Sequence, residues 1–408
     1  MGSGRSVDSP IVLARLRVRE GTTPWLVAGV ALALVVGLPL VVSGPGNDLD
    51  VGNVFRSGRA IVRHLTYLPS RAPGSPVHET LVGVLDLIGG PLLANLASVV
   101  AAVTLVGGLD RLLRREGVGS GGRWAVALVA VNPWFLIAAT STTDYLFALA
   151  FVVLAALALR SDRTVLAGAL AAASMGSRIG SALLVLALLA AELGEDDRVA
   201  ARRRVLATGL TAAGVTLALF VPSWLEAGGL AFAQNDFSTS SPLVQLGRAT
   251  AKDLTLLGPV ASLVALAAVP AVATALRTWR TSWLIRFAVP GLVLAQLLFV
   301  RFPWKVPHLL PSLLCGAILL GVALQRRPAL LMVLVALQLA FAVVRIDVVR
   351  PDDPNRATGG DPGLVIGWGP VVTDWQCRRQ DPDAYLGRQK VEIEKAWNCV
   401  RPFGTGPG

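Results

Sequence analysis

The sequence predicts an all-α polytopic membrane protein, on three observations. Of 408 residues, 54% are hydrophobic and only 15% charged, with a mean hydropathy of +0.62, which is too apolar for soluble domains of this length. The apolar residues gather in runs of the length that crosses a hydrocarbon core, roughly 17–25 residues. Arginines cluster between these runs on alternate sides, the pattern that orients membrane helices. The formal net charge of +11 therefore serves helix orientation, and no nucleic-acid partner is expected.

Arg15, Arg17 and Arg19 precede a first apolar run from Trp25 to Ser43. It is long enough for a full span, and Ser43-Gly44-Pro45-Gly46 is a poor cleavage site, so residues 1–24 are expected as a cytoplasmic N-terminal segment before an uncleaved helix. Further runs at 81–109, 124–140, 143–159, 164–176, 180–193, 205–222, 254–276, 283–300, 307–324 and 328–346 bring the expectation to about eleven crossings. Alternation then places Arg111, Arg114, Arg115 and Arg123; Arg160 and Arg163; Arg198, Arg202, Arg203 and Arg204; Arg277, Arg280 and Arg286; and Arg326 and Arg327 in the cytoplasm together with the N-terminal group. Two stretches need hairpins to keep this order. One is 124–159, broken near Asn132-Pro133 and at Thr140-Ser141-Thr142-Thr143-Asp144; the other is 164–193, turning near Arg178. The expected division is a transmembrane module over 25–346 and an extracytoplasmic tail over 347–408.

The outer face receives loop 44–80, short turns at 140–144 and 177–180, loop 223–253, the tight loop 301–306 and the tail. Loops on a rigid scaffold commonly hold function, and ionisable groups at membrane depth are functional candidates. In the first loop, Asp48 and Asp50 can supply a general base, or oxygen ligands for Mg²⁺ or Mn²⁺, or simply an Asx-rich turn. Arg56, Arg59 and Arg63 repeat at helical spacing, which suggests an interfacial helix over 51–65. His78 and Glu79 open the second span, where Glu79 also complements the helix dipole, and Asp144 stands where it can cap a helix or serve an acceptor or metal. Arg178 follows the small-residue run Ala171 to Ser177, so its charge turns to a polar cavity or snorkels to the interface. Arg301 and Lys305 bracket Pro303-Trp304, a pattern shared with interfacial anchors. His64, His78 and His308 have no compact multi-histidine spacing, which argues against a zinc site. Gly117 to Gly122 follows an arginine cluster without a preceding strand and reads as a connector, not a nucleotide loop.

In order along the chain, these motifs resemble the integral-membrane GT-C glycosyltransferases, the superfamily of protein O-mannosyltransferases and bacterial aminoarabinose and lipid-sugar transferases. The elements are an acidic pair after the first helix, Asp48/Asp50; Arg71-Ala72-Pro73-Gly74-Ser75-Pro76 before the second; the Asn132-Pro133-Trp134 and Ser141–Asp144 hairpin; the small-residue hairpin Gly168 to Arg178; and the late loop from Arg301 to Pro311. The likeness covers about residues 25–325. It departs from the family at His308-Leu309, where a Tyr usually precedes Leu-Pro, and in an extracytoplasmic tail of only roughly sixty residues.

The resemblance implies sugar transfer from a polyprenyl-phosphate-linked lipid donor to a glycan, lipid or protein acceptor at the extracytoplasmic side of the cell membrane. An acceptor hydroxyl attacks the anomeric carbon and a lipid phosphate leaves, so the protein must supply a carboxylate base and cations for the growing phosphate charge. Asp50 or Asp48 is the base implied. Spacing leaves that choice open, with Asp50 preferred because Asp48 follows Asn47 in a turn. Arg178, Arg301, Lys305 and His308 are the candidates for the donor phosphate; Arg71, His78, Glu79 and Asp144 are candidates for acceptor or loop support. No cofactor is required by this reading, and a divalent cation on Asp48/Asp50 stays open. The competing readings are a polytopic transporter or flippase and a non-catalytic subunit of an envelope-glycan complex.

Cys315 falls in an expected span and reads as packing. Cys377 and Cys399 share the outer tail, and a small lobe in an oxidising compartment gains from a bridge between them. Residues 351–363 read as a linker, and Tyr385–Trp397 as an amphipathic helix.

Overall fold

The computed structural model describes residues 37–48, 50–226, 241–349 and 363–380. The expected cytoplasmic segment 1–24, most of the first apolar run, residues 351–362 of the expected linker, the expected helix Tyr385–Trp397 and Cys399 lie outside the described residues.

After helical residues 37–42, the described chain is a bundle of α1 (Val51–His64), α2 (Pro76–Arg115), α3 (Ser120–Ala130), α4 (Pro133–Ala139), α5 (Tyr145–Leu159), α6 (Thr164–Ser177), α7 (Ala182–Leu193), α8 (Arg198–Glu226), α9 (Pro242–Leu257), α10 (Pro259–Ala265), α11 (Val269–Leu276), α12 (Trp283–Arg301), α13 (Leu310–Ala323), α14 (Ala329–Val343) and α15 (Pro370–Gln380). Among the described residues, five helical stretches are long and apolar enough to cross a membrane, and six if the bent pair α3–α4 is one span. Helices α5, α6, α14 and the stretch Ile179–Leu193 are apolar but shorter. The protein is a multi-pass membrane protein.

Local sequence sets the breaks. Gly90, in a left-handed conformation at φ 62, and Pro91 interrupt α2, because no side chain is present to resist that backbone and proline removes a helix hydrogen bond. Asn132 caps α4 by accepting from the amides of Trp134 and Phe135, and Pro133 takes the first helical position. The result is a 63° bend between α3 and α4. Arg178 is extended, at φ −154 and ψ 110, and separates α6 from the following turn. Helix α1 lies against α2 through Gly58 and Gly83; a Cβ at Gly83 would stand 2.3 Å from the Gly58 carbonyl oxygen. Alanine-rich α5 forms the centre of the core: Leu146, Val152, Ala155 and Ala156 are fully buried.

Two expectations are corrected. The loop expected at 223–253 is helical from Pro242, since α9 precedes Gly258, whose positive φ of 80 ends it. The all-α expectation gives way to a two-stranded antiparallel sheet of β1 (Val344–Val349) and β2 (Gly363–Trp368), with Val344 opposite Trp368 and Val349 opposite Gly363. The last apolar run therefore leaves its helix at Val343 instead of 346. Gly363, read as linker, begins the second strand.

Candidate active site

The loop after the first helical stretch, the 140–144 turn, the Arg178 hairpin and the late loop meet at one end of the bundle. Asp50 immediately precedes α1, and its backbone amide donates to Asp48 Oδ1 at 3.0 Å, an Asx-type turn that fixes the two carboxylates relative to each other. Lys305 reaches in from the late loop. Its Nζ donates to Asp48 Oδ1 at 2.7 Å and to Asp50 Oδ2 at 3.1 Å. Arg71 bridges the other way: Nη1 donates to Asp50 Oδ2 at 3.1 Å, and Nη2 pairs with Asp144. Arg178 Nη1 donates to the Asp144 carboxylate at 3.0 and 3.3 Å. Three carboxylates and three cations thus alternate in one chain of contacts running from Asp48 through Lys305, Asp50, Arg71 and Asp144 to Arg178.

Burial tends to raise the Asp50 pKa, but the charges of Lys305 and Arg71 outweigh it and hold the carboxyl well below its ordinary range. Burial likewise opposes the charge on Lys305 and Arg71, and their carboxylate partners reverse that, raising both. Asp144 is pushed up by burial and held down by Arg71 and Arg178, with the lowering dominant. All of these groups are therefore charged at neutral pH, and the network as a whole is formally neutral.

The network borders a cavity of about 580 Å³. At its polar end are Asp50, Arg71, Tyr145, Arg178, Lys305 and His308; Leu183, Leu184, Ala295, Leu298 and Phe299 line the rest with hydrocarbon. A charged end and an apolar flank in one cavity suit an amphiphile with an anionic head. Tyr145 joins the two sides, with the Arg178 guanidinium 4.2 Å from its ring centroid and the His308 ring 5.8 Å away.

Other expected residues stand further off. Asp48 and Asp144 are not part of the cavity lining; they back the residues that are. Arg301 lies outside that lining, with its guanidinium 4.9 Å from the centre of the Phe302 ring. Glu79 supports the loop: it accepts from Tyr67 Oη at 2.5 Å and from the Ser70 amide at 2.9 Å. Burial and the Glu79 carboxylate push the Tyr67 phenol above its ordinary range, so it remains a donor. His78 is buried against Phe147, with ring centroids 5.0 Å apart. Cys315 is a buried free thiol, and Cys377 is disulfide-bonded.

A divalent cation on Asp48 and Asp50 would have to displace a side-chain cation already there. Between Asp48 and Asp50 the Lys305 ammonium takes the bridging place, and among the described residues no group of three or more His, Cys, Asp or Glu stands close enough to hold a metal ion.

Sequence reasoning missed Tyr67, Tyr145 and Lys252. The chain contains only 3 tyrosines, and a buried tyrosine needs a partner for its hydroxyl, which is a signal that was there to use. Lys252 gave no such signal. On α9, it donates to the Pro303 carbonyl at 2.5 Å and to that of Trp304, holding the loop that carries Lys305.

No protein-family model and no curated protein sequence matches this chain. Its fold is similar to that of ArnT from Cupriavidus metallidurans. The apo crystal structure aligns with a TM-score of 0.54 at 18% identity over 74% of this chain and 60% of that one. The structure bound to undecaprenyl phosphate aligns with a TM-score of 0.54 at 20% identity over 75% of this chain and 61% of that one. The chain thus spans about three-fifths of the length of these neighbours. The likeness shows an ArnT-like fold, in accord with the resemblance seen in the order of the sequence motifs.

Proposed function

We propose that the protein is a membrane glycosyltransferase that moves a sugar from a polyprenyl-phosphate-linked donor to an extracytoplasmic glycan, lipid or protein acceptor. The observation that carries this reading is the cavity itself, in which Asp50, Lys305 and Arg178 face one end and hydrocarbon side chains line the rest. The bound undecaprenyl phosphate of the structurally similar ArnT supports a polyprenyl phosphate as the occupant. The proposed topology has about eleven crossings, a cytoplasmic N-terminus and the cavity opening to the extracytoplasmic side, with 25–346 as the catalytic module and 347–408 as the outer tail.

In the reaction, the acceptor hydroxyl oxygen bonds to the anomeric carbon as the bond from that carbon to the phosphate oxygen breaks. The hydroxyl proton passes to Asp50, and the polyprenyl phosphate departs as an anion. Asp50 is assigned as the base because it borders the cavity, whereas Asp48 holds the Asp50 amide and Lys305. Lys305 and Arg178, with His308 beside them, take up the negative charge growing on the phosphate. Their present carboxylate partners are exchanged in part for phosphate oxygens, which also relieves Asp50 of a neighbouring cation and makes it a better base. Arg71 and Asp144 hold the two halves of the site together. In this reading the Lys305 ammonium between Asp48 and Asp50 is the cation nearest the base.

The test is binding of undecaprenyl phosphate to the purified protein in lipid nanodiscs. Saturable binding that falls at least tenfold in Lys305→Met and Arg178→Met supports the reading. Binding no better than that of a bilayer phospholipid, or unchanged in both variants, contradicts it.

A further inference from the structure

The tail left without a role by the sequence contains the most completely buried guanidinium of the described chain. Arg378, on α15, has a side chain only 1% exposed. Nη1 donates to the carbonyls of Leu40 at 3.0 Å and Thr140 at 2.5 Å. Nη2 donates to Ser141 Oγ at 2.5 Å and stands 2.7 Å from Asp374 Oδ2. Asp374, one helical turn earlier, receives Asn47 Nδ2 on both its carbonyl and its Oδ1, each at 2.9 Å. Burying a guanidinium is unfavourable unless its N–H groups find acceptors; here Nη1 and Nη2 find them while Nε has none, and the planar fork fixes several acceptors at set angles, which an apolar side chain of the same volume would not do.

The acceptors belong to the site's own loops. Leu40 lies in the last turn of the first helical stretch, Asn47 adjoins Asp48, and Thr140–Ser141 lead directly to Asp144. The core contributes other ties to the same loop: Asn95 donates to the Val41 and Gly44 carbonyls at 2.9 and 2.8 Å, and the Thr142 amide to Pro45 at 2.8 Å. The side-chain tie at Asn47, nearest the acidic pair, comes from α15. Leu40 also packs with Ala342 and Val371, so apolar contact reinforces the polar ones.

We infer that α15 is a positioning element of the active site, in which Arg378 and Asp374 clamp the acidic loop and the 140–144 turn and thereby set Asp48, Asp50 and Asp144 in register with Lys305, Arg71 and Arg178. The role of these residues in turnover rests on the glycosyltransferase reading; the clamp on the loops does not. Neither residue reaches the cavity, so both act through the loops.

The experiment is amide hydrogen exchange on the full-length protein in nanodiscs, comparing wild type with Asn47→Ala and Arg378→Lys. Asn47 is part-exposed, so its variant separates the clamp from folding, and the lysine variant keeps the charge while losing the fork. The amides of Asp50 and Val51, which donate to Asp48 Oδ1 and to the Asp48 carbonyl, each at 3.0 Å, are expected to exchange about tenfold faster in both variants and those of 140–144 in Arg378→Lys, with those of α5 unchanged. Turnover on a lipid-linked sugar is expected to fall about tenfold or more with KM for the donor within about twofold of wild type, since small misplacements of reacting groups cost rate rather than binding. Unchanged exchange at Asp50 and Val51 in both variants, or faster exchange spread equally through α5, overturns the clamp; faster exchange with unchanged kcat overturns its positioning role. Should wild type transfer no sugar, the glycosyltransferase reading fails on its own, and the exchange result still decides whether α15 holds the loops.

Discussion

Two ionic networks lie at opposite ends of α5, and they differ in what they face. The 15 residues of that helix separate them by about 22 Å at 1.5 Å per residue. At its N-terminal end is the chain of Asp48, Lys305, Asp50, Arg71, Asp144 and Arg178. At its C-terminal end Arg160 pairs with Glu116 at 2.9 Å and Glu195 at 3.4 Å, Arg204 with Glu192 at 2.6 Å, and Arg286 with Glu195. The second network closes on the protein: Trp283 Nε1 donates to Glu192 at 3.2 Å, and Arg286 donates to the Ala191 and Arg280 carbonyls at 3.1 and 2.8 Å. None of its members borders the 580 Å³ cavity, whereas Asp50, Arg71, Arg178 and Lys305 all do. Alternating charge alone is thus a structural device. It becomes a site where part of it is left facing a cavity that a ligand can enter.

This contrast can be broken most sharply at Asp50. Asp50→Asn keeps shape and removes the base, so turnover per folded molecule is expected to fall by about 10² to 10⁴-fold, while loss of the ion pairs with Lys305 and Arg71 lowers the melting temperature; a steady-state transfer assay normalised to folded protein beside a melting curve checks both. Glu192→Gln is the counterpart at the other end. It leaves Arg204 with only the exposed carboxylate of Asp162 at 3.5 Å and is expected to destabilise the fold by about 3 kcal/mol, while turnover per folded molecule stays unchanged; denaturation of the purified protein measures the first and active-site-normalised kinetics the second.

A smaller effect distinguishes the two partners of Asp50. Lys305→Arg keeps a charge but not the compact ammonium between Asp48 and Asp50, and a roughly tenfold loss in transfer is expected, mostly in kcat. The least change is expected from pH and chelation. Asp50 has a folded pKa below its ordinary value of 3.8, so its ion pairs stabilise the fold above that value and are lost only as pH falls through the depressed folded pKa. Transfer rate should therefore show no inflection from Asp50 between pH 7 and pH 5, and an inflection there that disappears in Asp50→Asn would contradict the assignment. Excess EDTA should leave the rate unchanged, in keeping with Lys305 as the resident cation.

How legible this was depended on the range of the interaction. Hydropathy and arginine placement marked most helices because those signals are local, and Asn132-Pro133, Gly90-Pro91 and Arg178 break the chain by backbone chemistry that can be read residue by residue. The strand Val344–Val349 was merged with the preceding helix because its valines and isoleucine are as apolar as a span; its alternation with Arg345 and Asp347 was the available clue. The site residues Asp50, Arg71, Asp144, Arg178, Lys305 and His308 could all be named from sequence, yet their pairing could not. Lys305 meets Asp48 across 257 positions of chain, and only the fold closes that distance. Arg301 was grouped with Lys305 on proximity in sequence, but the turn at Phe302 to Trp304 sends the two apart. Arg378 and Asp374 drew no reading from the sequence, since nothing in it discloses a burial created by docking.

The central claim is that the cavity-facing network performs sugar transfer through Asp50. It is tested most directly by the sugar composition of the cell envelope in a deletion strain complemented with wild type or Asp50→Asn at equal membrane levels. The account predicts that wild type restores a missing sugar and Asp50→Asn does not. Restoration by Asp50→Asn to the wild-type level would contradict it.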